Sequence, residues 1–178
     1  FLEKSRVWRI MTFQLRLLQI EYQIKIGAFV LMDNHFHLLL LTPDEPIDRM
    51  MYFFMKKVTL QIQKESGRIN KIFGGRYKGC LIENSKYLLN VYKYIYRNPV
   101  AAGISERAEN YSFTTLNKEL PIRLEKIMPL NIEVSNLVEL EWINTSFEKE
   151  EESSMKNGLM KRKFQYRKER TTRRFVSP

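Results

Sequence analysis

The chain has 178 residues, with 30 Lys+Arg against 20 Asp+Glu and a formal net charge of +10. That length suits one domain with a buried core, with or without a tail. Hydrophobic residues at 44% and aromatics at 12% exclude a wholly disordered chain, and no apolar run approaches the roughly 18 residues of a membrane-spanning helix. The single cysteine, Cys80, excludes an intramolecular disulfide and fits a reducing compartment. Lys4, Arg6 and Arg9 interrupt the apolar core that a signal peptide needs, and the start at Phe1 reads as a fragment or a processed product.

Residues 1–22 carry Leu2, Val7, Ile10, Met11, Leu15, Leu18 and Tyr22 at three-to-four spacing, which predicts an amphipathic helix. From Gln23 the period changes. Ile24, Ile26, Phe29, Val30 and Leu31 read as a strand, Met32-Asp33-Asn34 as a turn, and His35 to Leu41 as a second strand closing a hairpin before Thr42-Pro43. Pro46 suits the first turn of a helix reaching about Glu65, with Ile47, Met50, Met51, Phe54, Val58 and Ile62 on one face, and Gly67 closes it. Gly74-Gly75 mark a turn, and Tyr77 to Ile82 read as a short third strand. Asn84 or Ser85 can cap a helix over 86–97, which Pro99 is expected to end. Residues 110–135 are weakly patterned, whereas Leu137–Phe147 and Glu150–Met160 read as short helices outside the main core. The order predicts an α+β sandwich, an antiparallel sheet with helices on one face. Three strands are few for that arrangement, so one or more further strands are expected before Phe1.

Charge divides the chain into three parts. Residues 1–118 hold 18 basic and 10 acidic residues, a net of +8; residues 119–160 hold 4 and 9, a net of −5; residues 161–178 hold 8 and 1, a net of +7. A basic body, an acidic helical extension and a basic, mobile tail follow one another, and a nucleic-acid polyanion is the first partner to consider.

Three groups of residues can carry chemistry. The only two histidines stand two apart as His35-Phe36-His37. On a strand both imidazoles project to one face while Phe36 turns to the other, and two such rings can hold one divalent ion with positions left open. In Tyr92-Lys93-Tyr94-Ile95-Tyr96-Arg97-Asn98, Tyr94 and Asn98 share a helix face, with Leu88, Val91, Tyr92 and Ile95 on the neighbouring apolar stripe. Taken alone, such tyrosines more often fill a core with their hydroxyls at its rim. The third group, Gly74-Gly75-Arg76-Tyr77-Lys78-Gly79, puts cations beside an aromatic ring, as contacts to single strands require, although a tight turn explains it equally well. Lys56 and Lys57 add charge to the preceding helix.

In this order the three groups resemble the single-tyrosine HUH transposases. Phe29-Val-Leu-Met-Asp-Asn-His-Phe-His-Leu-Leu-Leu is similar to their histidine-hydrophobe-histidine strand. Gly75-Arg-Tyr-Lys followed by Tyr87-Leu-Leu and Tyr94-Ile-Tyr-Arg-Asn-Pro-Val-Ala-Ala-Gly is similar to their catalytic helix and its exit. The branch most resembled is the REP-associated tyrosine transposases, over residues 1–118 and weakly to 164. The resemblance implies a ferredoxin-like sandwich whose first strand would precede Phe1, with a helical C-terminal extension. It further implies Mg²⁺ or Mn²⁺ on His35, His37 and Asn98, and Tyr94 as nucleophile on single-stranded or hairpin DNA. Lys56, Lys57, Arg76, Tyr77, Lys78 and Arg97 would bind that DNA. It implies a monomer or homodimer in the bacterial cytoplasm, associated with the nucleoid and not with a membrane. Tyr92 and Tyr96 compete as nucleophiles, but their helical phase lies roughly 200° from Tyr94. Two other readings stay open: an inactive remnant that binds DNA hairpins, and an unrelated metal-dependent phosphoesterase in which Tyr94 is structural.

Overall fold

The apolar period of the first residues produces helix α1 (Lys4–Tyr22), whose inward face carries Trp8, Met11, Leu15 and Leu18. Gln23 ends it in the left-handed conformation, φ 51°, and the chain turns extended. The computed structural model describes residues 2–42, 47–116, 136–161 and 163–164. Strand β1 (Lys25–Leu31) pairs antiparallel with β2 (Phe36–Leu41), from Lys25↔Leu41 to Leu31↔Phe36, and the Met32 N–H donates to the His35 carbonyl at 2.9 Å to close the turn. Helix α2 (Ile47–Ser66) buries Met50, Met51, Phe54, Val58 and Ile62 in the core that α1 and the hairpin share. It stops at Gly67, whose φ of +67° a residue with a Cβ adopts only under strain. Pro46 lies outside the described residues.

The facing of β1 does not follow simple alternation. Side chains an odd number of positions apart in a regular strand point to opposite faces. Yet Ile24, Ile26, Phe29 and Leu31 all enter one core. The ladder shifts register between Ile26 and Ala28, so Gly27 is an additional residue, a β-bulge that restores the facing after it. Backbones approach closely there: a Cβ on Gly27 would stand 3.2 Å from the Leu39 side chain. From β2, Phe36, Leu38 and Leu40 pack on the same core, and the Phe36 ring lies 6.2 Å from Phe29, 5.9 Å from Phe54 and 6.1 Å from Phe73. The intervening His37, and His35 just before the strand, therefore face away from α1 and α2.

The third strand expected at Tyr77–Ile82 does not form, and the described sheet has two strands. Tyr77 packs on the core, but Gly79 and Leu81, which would share its face on a strand, are exposed, and only Leu81 makes an isolated bridge, to Lys163. The free edge of β1 is taken instead by residues from the weakly patterned region. Leu31 N–H donates to Phe113 O at 3.0 Å, Thr115 N–H to Phe29 O at 2.9 Å, and Phe29 N–H to Thr115 Oγ1 at 3.0 Å. Tyr111 Oη donates to the Leu31 carbonyl at 2.6 Å. Thr115→Val leaves the buried Phe29 N–H without that acceptor, and we expect a loss of about 1–3 kcal/mol in urea unfolding followed by Trp8 fluorescence in a Trp142→Phe background.

By packing, the chain forms two units: Phe1–Tyr77 with Glu109–Ile127, and Lys78–Ala108 with Met128–Pro178. The first is the α+β unit just described. The second holds α3 (Ser85–Ala101), α4 (Asn136–Asn144) and α5 (Lys149–Leu159). Helix α3 does not end before Pro99 but runs through it to Ala101. Proline costs one bond near the helix terminus, where few remain to be lost. The last carbonyls still find donors, Ala102 N–H to Asn98 O at 3.0 Å and Ile104 N–H to Pro99 O at 2.9 Å, before Gly103 reverses the chain at φ +68°. Val91, Tyr92, Ile95 and Tyr96 of α3 are buried, as are Ile143 of α4 and Met155 of α5. Both short helices thus add buried residues to the second unit and, as expected, none to the core of the first. Phe164 is buried too, 5.2 Å from the Tyr87 ring, with its N–H on the Leu81 carbonyl at 2.9 Å. Residues 119–135 of the acidic extension and 165–178 of the basic tail lie outside the described residues. No described helix is long and apolar enough to cross a membrane.

Candidate functional site

The period of β2 places the two imidazoles on one face, and the turn before it orients the first. Asn34 Oδ1 lies 2.6 Å from His35 Nδ1. An amide oxygen can only accept, so Nδ1 is the donor in this contact, and Nε2 is turned to His37. His35 Nε2 stands 3.1 Å from His37 Nε2, with the ring planes at 89°. Two nitrogens bound at about 2.1 Å and 90° to one ion are about 3.0 Å apart, so the pair fits a shared cation as a donor set. Among the described residues, no group of three or more His, Cys, Asp or Glu could hold a metal; a third protein ligand would be of another type. Beside the turn, Lys4 pairs with Asp33 and lies 5.2 Å from the centre of the Phe113 ring.

The second unit carries the tyrosine helix. Tyr92 and Tyr96 are 3% and 1% exposed and meet edge to face at 4.7 Å. The Tyr92 hydroxyl donates to Glu139 Oε1 at 2.8 Å, and burial, with Tyr96 and Glu139 beside it, raises its pKa. Tyr94, a half-turn away, is half-buried. Burial raises its pKa, Lys156 of α5 opposes the rise, and Glu152 adds to it; Lys156 and Glu152 are themselves paired at 2.7 Å. One turn on, Asn98 Nδ2 donates to the Tyr94 carbonyl at 2.8 Å, which leaves Oδ1 as the donor atom for a ligand. Arg97 Nη1 donates to the Asn144 carbonyl at 2.6 Å. The histidines belong to the first unit, Tyr94 and Asn98 to the second.

Of the remaining candidates for strand contact, Lys56, Arg76 and Tyr77 line one cleft of the first unit, while Lys57 and Lys78 are exposed. Arg76 donates to Asp48 Oδ1 at 2.6 Å and the Tyr77 hydroxyl to the same oxygen at 2.5 Å. Burial and that carboxylate push the Tyr77 phenol up to about 12.

Several participants escaped sequence reasoning. Asn34 looked like a turn residue only. Lys93 is buried, donates to Thr145 Oγ1 at 2.6 Å, and lies 5.4 Å from the Trp142 ring and 4.8 Å from Phe147. Burial lowers its pKa, and Arg97 adds to the effect. Trp142 was the one available signal, since a buried cation needs an aromatic or an anion near it. Tyr52, Lys71 and Phe73 also line the cleft; the four-residue spacing of exposed Tyr52 and Lys56 could have flagged it. Comparison with protein-family models, curated proteins and solved structures finds no match to this chain.

Proposed function

We propose that the chain is a single-stranded DNA endonuclease and strand transferase of the single-tyrosine HUH kind, acting on hairpin-bearing DNA. The first unit, with its hairpin and two helices on one face, would be part of a ferredoxin-like sandwich. The observation that carries the reading is the His35–His37 pair, two Nε2 atoms 3.1 Å apart with Asn34 on the rear nitrogen of the first. His35, His37 and the Asn98 Oδ1 would hold Mg²⁺ or, since imidazole is a softer donor, preferably Mn²⁺. When bound, such an ion supplies charge neutralisation at a phosphate oxygen.

Tyr94 is the nucleophile in this reading. Its Oη forms a bond to phosphorus and gives up its proton, the bond from phosphorus to the 3′ oxygen breaks, and that oxygen leaves as a hydroxyl with a proton from water. The 5′ end stays on Tyr94 as a phosphotyrosine, and attack by a 3′-hydroxyl reverses the step and joins strands. Tyr92 and Tyr96 are poor rivals because both are buried. Lys56, Lys57, Arg76, Tyr77, Lys78 and Arg97 would hold the strand. Protein incubated with end-labelled hairpin DNA and Mn²⁺ should give a denaturant-resistant adduct. DNA binding with no adduct would select the second reading, an inactive hairpin binder, which the burial of Tyr94 favours because it opposes ionisation of the phenol. Either histidine changed to alanine should weaken Mn²⁺ binding at least about tenfold in calorimetric titration; unchanged affinity in both variants would remove the metal site.

A further inference from the structure

A cleft of about 560 Å³ opens on the first unit, within the roughly 300–1,000 Å³ range of ligand clefts. It is walled by Tyr52, Lys56, Lys71, Phe73, Arg76 and Tyr77, from the outward side of α2 and the segment after it. A helix side that faced only water would carry polar residues. Here Tyr52 is 59% exposed and Leu60, four residues beyond Lys56, is 52% exposed. The aromatic walls come with cations: Lys56 Nζ lies 5.7 Å from the Tyr52 ring centre and the Arg76 guanidinium 6.0 Å from that of Tyr77. Asp48 is the one carboxylate among the residues lining it, and it is already engaged by Arg76 and the Tyr77 hydroxyl. The rim is therefore net positive.

Planar walls and a cationic rim select a ligand that is itself planar and anionic. An apolar peptide would use the walls and leave the cations without purpose. Duplex DNA would use the cations, but its bases are stacked inside and cannot reach the rings. An unpaired base with its two flanking phosphates uses both, by stacking and by charge. We infer that this cleft receives an unpaired nucleobase of single-stranded DNA, sandwiched by Tyr52, Phe73 and Tyr77, with Lys56, Lys71 and Arg76 on the adjoining phosphates. The choice of DNA as the strand rests on the proposed function; the stacking chemistry rests on the cleft alone. In that picture the cleft fixes where the strand is anchored on the first unit.

The test uses the full chain carrying Tyr94→Phe, so that binding is read without cleavage. Fluorescence anisotropy with a labelled 12-nucleotide oligothymidine should show Tyr52→Ala weakening binding about tenfold, within the 1–3 kcal/mol of a stacked base, and Tyr52→Trp restoring it. Lys56→Ala and Lys71→Ala should each reduce the slope of log affinity against log salt by about 0.7. Photocrosslinking with 5-iodouracil in the same oligonucleotide should label the peptides holding Tyr52, Phe73 or Tyr77. Tyr52 is exposed, so its replacement leaves the core intact. Unchanged affinity and salt slope in these variants, or crosslinks confined to other peptides, would overturn the inference. So would equal loss of duplex binding in Tyr52→Ala, tenfold preference for the matching RNA, or displacement of the DNA by a polyglutamate peptide at equal concentration. Cleft crosslinks from a parent chain that never forms an adduct would remove the Tyr94 chemistry and keep the cleft; an adduct with no cleft crosslinks would do the reverse.

Discussion

With Tyr94 as the proposed nucleophile, Tyr94→Phe is expected to abolish covalent protein–DNA adduct formation, by roughly a thousandfold or more, because no other group can take the place of a lost nucleophile. Three tyrosines stand within five residues on α3, so the control matters as much as the loss. Tyr92 and Tyr96 contact one another inside the second unit, and the Tyr92 hydroxyl is committed to Glu139 at 2.8 Å. A DNA phosphate could reach neither without opening that core. Tyr96→Phe should therefore keep adduct formation within about twofold, and Tyr92→Phe should lose about 1 kcal/mol of stability with its hydrogen bond while still reacting. An adduct that persists at the parent level in Tyr94→Phe sinks the assignment.

Phe29→Ala should be the most damaging single truncation in the first unit, at about 3–5 kcal/mol. Phe29 is fully buried at the point where three elements converge. Its ring stacks on Trp8 of α1 at 5.0 Å and 11°, lies 6.2 Å from Phe36 of β2, and its backbone is bonded on the far edge to Thr115. The neighbours are held by separate elements and cannot collapse into the space together. Urea unfolding read through Trp8 in a Trp142→Phe background isolates this unit from the other. A midpoint shift worth less than about 1 kcal/mol would mean that the site relaxes far more than its packing implies.

Much of the first unit could be read directly. Helix α1, the hairpin and α2 all lie within a few residues of where periodicity put them, because each buries one face against a shared core. Gly67 was legible for a different reason, since a helix exit with positive φ favours glycine. The sequence misled where structure depended on distant partners. Tyr77–Ile82 has strand composition but buries no continuous face, whereas Phe113–Thr115 has little pattern and pairs with β1 some 86 residues away. Pro99 misled because a proline in the last turn breaks little. Within the candidate site, the common facing of His35 and His37 follows from a two-residue period, and the deeper burial of Tyr92 and Tyr96 than of Tyr94 follows from helical phase. The contribution of Asn34 depends on one turn side-chain rotamer, and the cleft joins Tyr52 to Phe73 across 21 positions, so neither leaves a local trace.

Gly27 can also be understood as an insertion that the hairpin has absorbed. The pairings on either side of it, Ile26↔Leu40 and Ala28↔Leu39, are consecutive on β2 and skip one position on β1. A chain lacking Gly27 would have the same partners in the same order, with Ile24, Ile26, Phe29 and Leu31 in plain alternation. Two sequences of different length at this point would therefore share one hairpin, and an alignment that left the gap out would turn the part of the strand on one side of Gly27 inside out.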